Sequence, residues 1–302
     1  MVASDYWLSK CKHLRVDRST GDAAPHKPIL LLVLFDLIEA GEITGEMVEL
    51  TPEIAFRFVN YWSIVAPRRT APPDVRLPFH YLSTLSNDGF WDALTIDGSE
   101  SSSPRTTRLA RWNSDFAAVV RDNSFRNHAR RVLVETYFLD HERPALYELL
   151  GLPIPEMVEL ERIRLLTEFE SARSAARNAR FRVTVVAAYQ YACALTGHRL
   201  TTITGASVVD AAHIHQFADS RNDDPRNGIA LSKNSHWLFD NGLWTFDESY
   251  RVVVATRSFR EDSPDQKQLL AYAGSQIRLP DDEALHPQQE YIRWHRENVF
   301  CE

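Results

Sequence analysis

The sequence predicts an α+β protein built in two parts, and three observations carry that reading. An apolar run, "ILLLVLFDLI" from Ile29 to Ile38, forms the centre of a first half that mixes helix and strand signals. A proline-led, highly charged stretch, "LPIPEMVELERIRLLTEFESARSAARNARFR", has the pattern of a long linking helix. Beyond it, residues 206–255 alternate valine-rich and turn-rich segments in the order strand, loop, strand, helix. The expected organisation is therefore residues 1–150, a helical linker over 151–182, and a second domain over 183–302.

Each element has a local reason. In "HKPILLLVLFDLIEAG", Pro28 suits a first helical turn and Gly41 terminates the helix. In "TPEIAFRFVNYWSIV", Thr51 caps a second helix, with Pro52 and Glu53 in its first turn. "LSNDGFWDAL" places a turn between short apolar segments, and "ARRVLVETYF" is helical. In the second part, "SVVDAAHI" is a strand, "ADSRNDDPRNG" a loop, and "LSKNSHWLFDNG" a short helix closed by Gly242. "EALHPQQEYIRWHRENVF" supplies a closing helix.

Composition bounds the function. With 302 residues, 44% hydrophobic and 25% charged, the chain can bury real cores. The longest apolar run is too short to cross a bilayer and "MVASDYWLSK" lacks a signal pattern, so a cytoplasmic location with no membrane partner is expected. Cys11, Cys193 and Cys301 are scattered and odd in number, which argues against a disulfide framework and a four-thiolate zinc site. A net charge of −7 means that any DNA contact comes from local patches.

The chemistry concentrates in "DAAHIHQFADSRNDDPRNGIALSKNSHWLFDNGLW". His213 falls at a strand end, Asn227 in the loop, and His236 on the helix with Asp240 one turn further on the same face. Phosphodiester hydrolysis needs a base, a cation at the phosphate and a group that orients the base. His213 suits the base, because imidazole titrates near neutrality. Asn227 suits the orienting role, and His236 suits a divalent-cation ligand with Asp240 or Asp210 as carboxylate partner. Strand alternation puts Asp210 and His213 on opposite faces. Asp223 and Asp224 read as turn formers, Arg226 as either salt-bridged to them or facing DNA, and Trp237 and Phe239 as core. Arg173, Arg177 and Arg180 share one face of the linker helix, with Arg182 beyond, either as a solvated face or as phosphate contacts.

In "DAAHI", "DDPRNGIAL" and "HWLFDNGL" the segment resembles the three motif blocks of HNH endonucleases with the ββα-metal fold, in the same order. "APHKPILLL" and "LPFHYLSTLSNDGFW" further resemble the N-terminal blocks of a bacterial group of restriction-endonuclease-like proteins. That resemblance implies a metal-dependent DNA endonuclease of a restriction system, using Mg²⁺ or Mn²⁺ and aimed at modified double-stranded DNA by its first domain. Many such nucleases brace the fold with zinc on two Cys-x-x-Cys pairs. Here those positions hold Cys193, Thr196, Ser232 and Ser235, so no structural zinc is expected.

The N-terminal blocks also resemble the sulfur-binding domains of phosphorothioate-dependent restriction enzymes, in which a Tyr-Pro pair lines an apolar cavity. This chain has Leu77-Pro78, followed by Phe79, His80 and Tyr81. Candidate DNA contacts are then His26, Lys27, Arg76, Leu77, Pro78, Tyr81 and Arg226, with Arg68 and Arg69 as further cations. His26 and Lys27 either hold a phosphate at a helix N-terminus or are merely exposed before a core helix. Because one such site cuts one strand, a homodimer is expected. The competing readings are an HNH nuclease in another role, such as a toxin or a structure-specific nuclease, and a non-catalytic DNA-binding protein on a decayed scaffold.

Overall fold

The computed structural model describes residues 2–19, 21–68, 72–84, 88–155, 166–262 and 264–301. It is an α+β chain in two compact units, one comprising Met1–Ala179 with Thr202–Gly205, the other Arg180–Thr201 with Ala206–Glu302. Among the described residues no helix is long and apolar enough to cross a membrane.

The first unit contains helices α1 (Val2–Lys12), α2 (His26–Glu39), α3 (Pro52–Trp62), α4 (Arg76–Tyr81), α5 (Ser114–Val120), α6 (Asn123–Tyr137) and α7 (Arg143–Leu149). Strands β1 (Met47–Glu49), β2 (Trp91–Leu94) and β3 (Leu109–Trp112) form an antiparallel sheet in the order β1-β3-β2. Helix α2 is buried on every side from Pro28 to Phe35, which is why its sequence shows no polar stripe. Its neighbours are α3, α4 and α6. The Thr51 hydroxyl caps α3 by accepting from the Ile54 N–H at 3.4 Å.

Ion pairs inside this unit follow from burial. Arg130 is held by Asp36 and Glu39, and Tyr61 donates to Asp36. Arg68 makes two hydrogen bonds to the buried Glu142, at 2.7 and 3.0 Å. A carboxylate removed from water needs such a partner. Burial nonetheless raises the carboxyl groups of both Asp36 and Glu142, and their arginines pull the other way.

The long charged helix is α8 (Leu166–Ala188). Residues 156–165 of the expected linker lie outside the described residues. Ala172, Ala176 and Ala179 form its buried stripe in the first unit, while the adjacent Arg173 pairs with Glu148 at 3.0 Å.

In the second unit, β4 (Val209–His213) pairs antiparallel with β5 (Gly228–Ser232), with His213 opposite Gly228. Short helix α9 (Phe217–Ser220) lies in the intervening loop, and α10 (Lys233–Asp240) follows β5 directly. Gly242 closes α10 at φ +70, and a Cβ there would meet the Val299 carbonyl oxygen at 2.0 Å, so a left-handed turn and close approach both require glycine. A hairpin of β6 (Trp244–Phe246) and β7 (Val252–Val254) and the closing helix α11 (Gln289–Asn298) complete the unit.

His295 of α11 joins that core. Its ring stacks on Phe239 at 3.7 Å, its Nε2 lies 3.2 Å from the Phe239 carbonyl oxygen, and the Thr245 hydroxyl meets Nδ1 at 3.0 Å. Burial pushes the imidazole down to about 4, against the opposing effect of the Phe239 hydrogen bond. The unfolded chain binds this proton near the ordinary value, about 6.5. The contribution is therefore complete above about pH 6.5 and is lost as pH falls towards about 4, by about 3 kcal/mol at most. Thermal unfolding from neutral to acid pH is expected to show this slope, and His295→Asn should flatten it.

Candidate active site

The antiparallel pair and the helix after it bring His213, Asn227, His236 and Asp240 into one neighbourhood. His213 ends β4, and its Nε2 lies 3.0 Å from Asp223 Oδ1. A carboxylate accepts, so Nε2 is the protonated nitrogen and Nδ1 carries the lone pair. Phe181, from α8, stacks on the imidazole at 3.9 Å and 3°, and Phe217 flanks it at 5.4 Å. Gly228 makes room for this stack: a Cβ there would lie 2.4 Å from Val185 Cγ2 and 3.0 Å from Phe181 Cζ.

Burial lowers the His213 pKa below its ordinary value, and the Asp223 hydrogen bond and charge oppose that. His236 and Asp240 also act on it electrostatically, in opposite directions. The net result is an imidazole that is neutral at pH 7 and able to take a proton.

Asn227 is fully buried, and its side chain links the two ends of the loop. Its Oδ1 accepts from the His215 N–H at 2.8 Å, and its Nδ2 donates to the carbonyls of His215 and Asn222 at 2.9 and 3.1 Å. Its own carbonyl accepts from the Ile214 N–H. Asn227 thus positions the backbone that follows His213, while the imidazole itself is oriented by Asp223 and Phe181. His215 stacks on Trp294 at 3.9 Å.

His236 and Asp240 lie one turn apart on α10, with Nε2 and Oδ2 separated by 3.3 Å. Burial raises the Asp240 carboxyl, and the two histidines only partly offset that. Two donors bound at about 2.1 Å in adjacent octahedral positions lie about 3 Å apart. The pair therefore fits one divalent cation, and a cation would stabilise the charged form of this partly desolvated carboxylate. Among the described residues no group of three or more His, Cys, Asp or Glu could hold a metal ion. Two protein donors suit a hydrated ion such as Mg²⁺, which keeps several waters and takes phosphate oxygens. A cleft of about 470 Å³ beside Asp240 is bordered by Asp219, Asn241 and Trp294.

Asp210 belongs elsewhere. Arg182 donates to its Oδ1 at 2.8 Å and Lys233 Nζ lies 3.8 Å from its Oδ2. The alternation of β4 turns it to the face opposite His213. It is the partner of these cations, whereas the carboxylate beside His236 is Asp240.

Cys193, Thr196, Ser232 and Ser235 do come together. The Cys193 thiol lies 3.5 Å from the Ser235 hydroxyl, which is 2.9 Å from that of Ser232. Burial raises the thiol pKa, but hydrogen bonds from the Ser232 backbone, the Ser235 hydroxyl and Thr196 together outweigh it, and the net shift is downward. These hydrogen bonds link the turn around Cys193 to the start of α10.

Among the expected DNA contacts of the first unit, the cations are found in ion pairs. Lys27 is ion-paired with the buried Asp88, Arg76 is bound through two nitrogens to Asp74, and Arg68 is bound to Glu142. Each of these three cations already has a carboxylate partner. Arg69 lies outside the described residues. The His26 ring is packed 4.4 Å from that of Trp62. Pro78 is buried, as are Phe79 and Trp91, whereas Leu77 and Tyr81 remain 42% and 45% exposed on α4. In the second unit Arg226 is bound to Asp224, with Nη2 at 2.6 Å. Trp237, expected in the core, is 60% exposed, while Phe239 is fully buried.

Sequence reasoning missed Asp223 and Phe181 as partners of His213. Two adjacent aspartates in a turn look alike in sequence. Asp224 makes the turn by accepting from the Arg226 N–H, which leaves Asp223 for the imidazole.

Residues 193–247 match the family model described as HNH endonuclease. No curated protein matches the chain. Among solved structures the chain is similar to a protein described as "Modification dependent TagI restriction endonuclease", with 22% identity and a TM-score of 0.32. That similarity covers 41% of this chain and only 40% of the other.

Proposed function

Starting from an HNH endonuclease domain at residues 193–247, we propose that the chain is a metal-dependent DNA endonuclease whose base is His213 and whose cation is held by His236 and Asp240. The observation that carries the reading is the His213–Asp223 contact of 3.0 Å, which leaves Nδ1 free to act within electrostatic reach of the His236–Asp240 pair.

His213 Nδ1 takes a proton from water as the water oxygen attacks phosphorus and the bond from phosphorus to the leaving oxygen breaks, and the Asp223 carboxylate stabilises the imidazolium that forms. Phe181 and Asn227 hold the ring and its strand in place. When bound, a divalent cation supplies a Lewis acid for the charge on phosphate and leaving oxygen. His236 and Asp240 are the side chains that would retain it.

The restriction role belongs to the same proposal. The first unit has its own buried core and supplies none of these side chains, so target choice is its natural task. Because Lys27 and Arg76 are themselves ion-paired, the exposed Leu77 and Tyr81 are better candidates than they are for reading a modification. Matched unmodified, methylated and phosphorothioated plasmids, incubated with the protein and a series of divalent cations, test this. Cleavage restricted to one modified plasmid is the expected result. Equal cleavage of all three would support a nuclease with another role, and binding without nicking would support a decayed scaffold.

A further inference from the structure

Helix α10 carries a second feature next to its cation pair. Of the seven tryptophans in the chain, Trp237 alone is exposed and the other six are buried or half-buried. It borders a cleft of about 510 Å³ whose walls include Thr196, His198, Asn234, Lys267 and Tyr272. The Lys267 ammonium stands 3.7 Å from the centre of the Tyr272 ring. Exposed Lys233, Asp240 and Asn241 share the solvent-facing side of the helix with Trp237.

We propose that Trp237 and this cleft bind an unstacked nucleobase of the strand being cut, immediately beside the scissile phosphate. The proposal rests on the nuclease reading of the His236–Asp240 pair. Position is the first argument. Trp237 and Asp240 lie three residues apart on α10 and are both exposed, so their side chains are neighbours on one helix face. A phosphate held at the His236–Asp240 pair therefore brings a flanking base towards Trp237, since stacked nucleotides repeat at about 3.4 Å along a strand.

Chemistry is the second argument. A large indole left in water forgoes considerable burial, and an aromatic platform stacks on any base because every base has a π-face. Asn234, His198 and Thr196 offer hydrogen bonds to a base edge, and Lys233 and Lys267 offer charge to the adjoining phosphates. Aromatic or apolar side chains inserted at a base step unstack it at modest cost. Such a grip is indifferent to sequence, which suits a cutting unit aimed by another domain. An apolar protein surface would find the same indole, but it would not use the polar wall.

The experiment uses full-length protein carrying His213→Ala, so that nucleic acid stays intact, and follows tryptophan emission during titration with a single-stranded oligonucleotide or an abasic strand of equal length. The base-bearing strand is expected to quench the exposed emission and the abasic strand to leave it unchanged. Adding Trp237→Ala should remove the quenching and weaken binding about tenfold, while Trp237→Phe should retain most of the affinity. Quenching that persists in Trp237→Ala, unchanged affinity, or equal binding of the abasic strand would overturn the proposal. Nicking of the matched unmodified, methylated and phosphorothioated plasmids by the unmutated protein is measured alongside. Nicking without these signatures rejects the base site alone, whereas loss of nicking rejects the nuclease reading.

Discussion

Replacing His213 with alanine is expected to reduce nicking by about two to four orders of magnitude while DNA binding persists, since general-base catalysis contributes about that much. The side chain is partly buried beneath Phe181 and makes a short polar contact with Asp223, so the loss falls on proton transfer rather than on DNA contact. Its pH dependence follows from the same surroundings. Burial lowers the imidazole pKa, so nicking should rise with pH through a value below the ordinary 6.5 and then level off. Asp223 favours the charged form. Asp223→Ala should therefore move the acid limb to still lower pH and slow the plateau. Rates and acid limb measured on nicked plasmid check this, and an unaltered acid limb in Asp223→Ala would remove Asp223 from the mechanism.

Removing divalent cations with a chelator is expected to reduce cleavage to background without unfolding the protein. His236→Ala and Asp240→Ala should each raise the Mg²⁺ concentration needed for half-maximal nicking by at least about tenfold, because each removes one of two protein donors. Asp240 sharpens the expectation. Burial raises its carboxyl pKa, so protons compete for the oxygen that would hold the cation, and apparent metal affinity should fall as the medium becomes more acidic. Thermal unfolding should be the same with and without chelator, since the Cys193, Ser232 and Ser235 cluster is joined by hydrogen bonds. Undiminished nicking in chelator would remove the cation from the reaction. A large chelator-induced fall in melting temperature would show that a structural metal braces the unit.

What the sequence by itself determined was local. The all-apolar run from Ile29, the Thr51 cap, the valines before His213 and the glycine after α10 specified their elements, because burial periodicity and capping act within a few residues. The same locality placed His236 and Asp240 on one helix face. Tertiary structure decided the rest, since ion pairs and ring stacks depend on which distant segments meet. Phe181 reaches His213 from another element, and only the turn made by Asp224 leaves Asp223 free to hold the imidazole. Asp210 went to Arg182, and Lys27 to Asp88. Trp237 and Phe239 look alike as apolar residues in one short helix, yet one faces water and the other the core. Composition records how apolar a side chain is, but what covers it is set by the rest of the fold.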